Sequence, residues 1–158
     1  MRTPHLRKDI EAIENVQRRA TRMIPGMQGL TYPERLTKLK IPTLAYRRLR
    51  GEMIELYKMT SGYYDIDTLD QRLTPSQARD TRGHSKKLLT RGARIDCRKH
   101  SFFNRAIEPW NSLSEDIVSS TSIIQFESRL DRYWKDHPLK LDHLSRERSH
   151  RPTTHARI

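Results

Sequence analysis

The chain has 158 residues, enough for one domain with or without a tail, and a formal net charge of +12 with a pI near 10.3, which points first to nucleic acid and second to an anionic membrane surface. Hydrophobic residues make up 34%, against about 45–50% in ordinary globular domains, so any core is small and marginal in isolation. A single cysteine, Cys97, excludes an intrachain disulfide and a four-cysteine zinc site and fits a reducing compartment, while the lack of a long apolar run or signal region predicts an intracellular protein with no membrane partner, nucleus or cytoplasm left open.

The first predicted element is a helix over about Lys8–Ile24. At 100° per residue, Leu6, Ile10, Ile13, Gln17, Ala20 and Ile24 fall on one side and Lys8, Arg18, Arg19 and Arg22 on the other. The apolar side is expected to build the core. Gln17 interrupts it, either contacting a neighbouring segment that is missing or sitting at the edge of a narrow core. Pro25-Gly26 ends the helix. A short second helix follows, with Thr31 and Glu34 at capping-box spacing, Pro33 in its first turn, and Leu36 and Leu39 buried.

The third helix is capped by Thr43 and ends near Gly62. Tyr46, Leu49, Met53, Leu56 and Tyr57 share its apolar face, Arg47 and Lys58 share another, and Arg50 packs its stem while its head reaches outward. Residues 63–82 read as a loop, and a short β-hairpin is expected near residues 86–97, around Gly92. A fourth helix over Ser101–Leu113 aligns Phe102, Phe103, Ala106, Ile107, Trp110 and Leu113, with Pro109 bending it. The last helix covers about Ser122–Asp136, with Ser122 and Gln125 at capping-box spacing. Its face carries Ile123, Phe126, Leu130, Tyr133 and Trp134. Beyond it the composition turns to Arg, His, Ser and Thr and predicts a disordered basic tail. The fold class expected is mainly α, organised as three helices in 1–62, a basic loop or hairpin in 63–100, two helices in 101–136, and the tail in 137–158.

The densest basic segment holds Arg82, Lys86, Lys87, Arg91, Arg94, Arg98, Lys99 and Arg105 against one acid, Asp96. Such clustering suits phosphates, whose neutralisation releases counterions; the competing interpretation is a solvated surface that keeps the protein soluble. Glu14 and Arg18 are spaced to pair within the first helix, leaving Arg19 and Arg22 as its better phosphate candidates. Arg48 and Glu52 are spaced likewise, which frees Arg47 and Lys58. Phe102, Phe103 and Trp110 could stack on bases, but their helical spacing favours core packing. Tyr64-Asp65-Ile66-Asp67 has its aspartates split and reads as a turn; Cys97 and His100 are half a zinc knuckle with no second half. No catalytic dyad, metal site or cofactor is expected.

The succession NVQRRATRMIPGMQGLTYPERLTKLKIPTLAYRRLRGEMIELYKMTSGYYD, then TRGHSKKLL, RIDCRKHSFFNRAIEPWNSL and FESRLDRYW resembles the C-terminal region of reverse transcriptases from non-LTR (LINE) retrotransposons of the jockey and chicken-repeat kind. The likeness runs in order over roughly residues 4–136, and Ser114 stands where that family usually has proline. It implies a helical thumb or post-thumb fragment of an RNA-directed DNA polymerase that helps hold template RNA or target DNA. In that family the endonuclease and the palm, with its metal-binding aspartates, precede this block. Met1 lies only a few residues ahead of it, so neither active site is expected and the isolated chain should not polymerise. The expected activity is RNA or DNA backbone binding. The alternatives are a fragment that docks on the missing polymerase palm or another retroelement protein, an active polymerase, or the non-functional remnant of a dead element.

Overall fold

A computed structural model describes residues 6–64, 73–76, 83–89 and 101–144. Among them the helices are α1 (Arg7–Met23), α2 (Tyr32–Leu39), α3 (Leu44–Thr60), α4 (Phe102–Asn111), α5 (Glu115–Val118) and α6 (Ile123–Tyr133), with a 3-10 turn at Pro138–Lys140. The fold is mainly helical, as the periodicity predicts. Two compact units divide it, Met1–Arg48 with Asp136–Ile158, and Leu49–Lys135; α3 gives its first turn to one and the rest to the other.

In the first unit, α1 is rotated away from the expected orientation rather than turned over: Gln17 is buried and Ile10 half-buried on the expected inner side, and Arg19 and Arg22 stay outside. Its buried residues are Glu14, Gln17 and Thr21, while Leu6, Ile13, Val16, Met23 and Ile24 are exposed. The reason is a set of polar partners that the helical wheel cannot show. Glu14 accepts the Tyr32 hydroxyl and also the backbone N–H of Leu44, at 3.2 and 3.0 Å from its two oxygens. Leu44 is the first residue of α3, where an unpaired N–H and the positive end of the helix dipole favour a carboxylate. Gln17 donates to the Tyr32 hydroxyl (3.1 Å) and the Pro42 carbonyl (3.0 Å) and accepts from Arg47. The polar intrusion therefore finds all its partners within the described chain.

The capping box of α2 forms as expected, Glu34 accepting the Thr31 N–H at 2.7 Å. Leu36 is buried and Leu39 half-buried. Thr43 caps α3 by accepting the Tyr46 N–H at 3.1 Å, and its hydroxyl donates to the Leu139 carbonyl. The Thr43 N–H reaches the Lys140 carbonyl at 3.0 Å. Order therefore extends past the expected start of the tail, with Leu139 buried; residues 145–158 lie outside the described residues.

In the second unit the α3 face is as predicted. Leu49, Met53, Leu56 and Tyr57 are buried there, and Tyr46 is buried in the first unit. Tyr57 stacks on Phe126 (centroids 4.4 Å apart) and donates its hydroxyl to the Ser120 carbonyl (2.6 Å). Gly62, at φ +73, closes α3 as the Tyr63 N–H returns to the Lys58 carbonyl (3.1 Å). Ala106, Ile107 and Trp110 of α4 are buried, with Phe102 and Phe103 half-buried. A short helix, α5, was not expected; Ser114 stands at its N-cap and Ile117 and Val118 are buried. On α6 the cap is Ser122, which accepts the Gln125 N–H at 3.2 Å, while the Gln125 side chain returns to the N–H of Thr121 (2.8 Å) rather than that of Ser122. Phe126, Leu130 and Trp134 are buried, but Tyr133 is 53% exposed. Of the expected hairpin, only residues 86–89 are described. Leu88 pairs there in an isolated antiparallel bridge with Pro75, upstream of the predicted partner strand.

Candidate nucleic-acid interface

Residues 83–89 carry Lys86 and Lys87 and have almost no secondary structure of their own, so side chains from α4 and α5 hold them. The Trp110 indole donates to the Lys86 carbonyl (2.9 Å). Asn111 clamps the backbone of Leu88 twice, accepting its N–H at 2.9 Å and donating to its carbonyl at 2.8 Å. Glu115 accepts the N–H and the hydroxyl of Ser85 at 2.6 and 2.8 Å. Those two bonds, the backbone one first, hold the Glu115 carboxyl below its ordinary range.

His84 lies beneath this segment, 4% exposed. Its ring meets that of Trp110 edge-on (centroids 5.8 Å apart, 88°), and its Nε2 donates to the Trp110 carbonyl at 2.9 Å. Its Nδ1 is buried without a hydrogen-bond partner. Burial is the main cause of a pKa below the ordinary histidine value, with the Trp110 carbonyl and Glu115 opposing it and Lys87 and Lys86 adding to it. Residues 84–88, HSKKL within the motif TRGHSKKLL, are thus clasped by the motif WNSL and the glutamate two residues beyond it. Sequence reasoning named both motifs but missed the clasp, because its partners stand 23 to 30 positions apart and no periodicity links them.

The predicted cations fall into three groups. Arg19 and Arg22 are exposed on α1, and neither makes a hydrogen bond or ion pair among the described residues. Lys86 is half-buried and its ammonium likewise has no such partner. Lys87 folds back over Gly83: a Cβ on that glycine, whose φ is +130, would lie 2.2 Å from the lysine Cε.

The second group is engaged in structure. Arg47, expected to be available, bonds Gln17. Lys58 pairs with Glu55 at 3.7 Å. Arg105 is locked to Glu52 at 2.6 Å, with side-chain exposures of 16% and 10%. The third group, Arg82, Arg91, Arg94, Arg98 and Lys99, lies outside the described residues, as do Asp65–Asp67, Cys97 and His100.

Arg18 also differs from expectation. Glu14 turns inward, and Arg18 instead bonds Asn15 at 2.9 Å and lies 5.0 Å over the Tyr32 ring. Arg35, buried and not singled out by sequence, lies 5.7 Å from the same ring and donates to the Leu30 carbonyl at 2.6 Å. The Tyr32 phenol is pushed far up by burial first and by the Glu14 carboxylate second, so it acts as a fixed hydrogen-bond donor.

Among the described residues, no helix is long and apolar enough to cross a membrane and no group of three or more His, Cys, Asp or Glu could hold a metal. No family model, curated protein or solved structure matches this chain.

Proposed function

We propose that this chain is a thumb-side module of the non-LTR retrotransposon reverse-transcriptase type, whose role is to grip the backbone of RNA or DNA without reading its sequence. The observation that carries this reading is the clasp of residues 84–88 by Trp110, Asn111 and Glu115. It fixes the backbone that presents Lys86, within the most basic stretch of the sequence. A lysine on a fixed backbone loses less freedom on meeting a phosphate than one on an unrestrained loop. Arg19 and Arg22, without a hydrogen bond or ion pair among the described residues, are a second set of phosphate candidates.

Fluorescence anisotropy of a labelled short RNA–DNA duplex tests the reading. Binding should weaken steeply between about 50 and 300 mM salt, and changing the duplex sequence should matter little. Lys86→Ala should flatten the log–log salt slope by up to about 0.9, the share of one phosphate. Affinity that is the same at both salt concentrations would rule the function out.

A further inference from the structure

Because α1 turns Glu14, Gln17 and Thr21 inward, its outer surface keeps a second pattern. Leu6, Asp9, Ile13, Val16, Ala20 and Met23 follow one another at alternating spacings of three and four, the a/d repeat of a helix–helix seam. The four large apolar members are 46%, 41%, 67% and 82% exposed, in the order Leu6, Ile13, Val16, Met23. The line is roughly 25 Å long at 1.5 Å per residue. An apolar seam of this extent left in water marks an interaction surface.

We infer that this seam pairs α1 with α1 of a second copy, antiparallel. The charge pattern selects both the occupant and the orientation. Asp9 is the seam's one charged member, and its carboxylate has no hydrogen bond or ion pair among the described residues. Arg19, equally unpaired, flanks the seam near its other end. A parallel pair sets Asp9 against Asp9 within the seam, a like-charge contact. Antiparallel pairing removes that conflict and closes on itself through a two-fold axis. It stacks Leu6 on the second copy's Met23 and Ile13 on the second copy's Val16, and it sets Asp9 opposite the second copy's Ala20, next to Arg19.

The dimer is separable from the nucleic-acid reading by its salt response. Each chain carries +12, so two copies repel, and salt screens that repulsion. Self-association should hold or tighten as salt rises, whereas phosphate binding weakens.

Sedimentation equilibrium of the full chain, from about 1 to 100 μM, should show a reversible dimer. Val16→Glu, at a site already in water, should leave the helical circular dichroism intact and weaken the dimer at least about a hundredfold, a tenfold loss at each of its two symmetric occurrences. In a Cys97→Ser background, mixing a Leu6→Cys chain with a Met23→Cys chain should give the mixed disulfide. A monomer throughout the concentration range overturns the proposal. So does a dimer indifferent to Val16→Glu, or a Leu6→Cys chain that crosslinks chiefly to itself. A monomer that instead binds phosphatidylserine vesicles, or a foreign protein, through Val16 gives the seam to another occupant and equally overturns it.

Discussion

Tyr32 joins four polar side chains of the first unit. Its hydroxyl donates to Glu14 and accepts from Gln17, and its ring lies between Arg18 and Arg35. Tyr32→Phe keeps the ring and removes the donor, leaving a fully buried carboxylate with one partner fewer. Hydrogen bonds to charged groups contribute about 1.5–3 kcal/mol, so urea denaturation should show a loss in that range; a change near zero would mean that Glu14 takes its stability from Leu44 alone. His84 gives a prediction in pH. Its folded pKa is depressed by burial, so the unfolded chain binds the proton more readily. Stability is complete above the unfolded value of about 6.5 and declines as pH falls below it toward the folded value. The melting temperature should therefore drop between about pH 7.5 and 5.5, and His84→Gln should flatten that drop. An identical slope in the variant would show that other groups set it.

Among the elements, α3 and α1 stand at opposite ends of legibility. The apolar face of α3 is buried as its periodicity indicates, with Tyr57 stacked on Phe126. In α1 the buried side is decided by geometry: Glu14 meets the bare N-terminus of α3, Gln17 meets a carbonyl and a guanidinium, and Thr21 meets Arg35 at 3.3 Å. The end of α2 carries a strained residue, Lys40, at φ 54. Lys40→Gly should stabilise the protein by about 0.5–1 kcal/mol, since the left-handed conformation costs a side-chain-bearing residue about 1–2 kcal/mol and glycine's extra unfolded-state freedom offsets part of that. A loss on thermal melting would refute this. The α3–α4 pair Glu52–Arg105 yields a contrast between stability and binding. Arg105→Met removes one partner of a mostly buried pair, for which about 3–5 kcal/mol is typical. The loss should appear in denaturation, and the salt slope for nucleic acid should stay as it was. A flattened slope with unchanged stability would return Arg105 to the phosphate contacts.

For the molecule as a whole, charge makes the two proposed activities respond to salt in opposite senses. At fixed protein concentration, raising salt should release the duplex while leaving α1-mediated dimers in place; light scattering with and without duplex across one salt series reads both. Duplex and dimer lost together on adding salt would show that the chains associate only through nucleic acid. The sequence by itself determined the helical class, the capping residues Thr31, Thr43 and Ser122, and the faces of α3 and α4, because these follow from neighbours within one or two turns. Only the tertiary structure decided which side of α1 is inside, which arginines are already occupied, and that the histidine–lysine segment is clasped by the tryptophan–asparagine motif. The partners of Glu14, Gln17 and Arg105 and of the clasped segment stand 15 to 53 positions away, and hydrogen-bonding complementarity at such separations leaves no period in the chain to read.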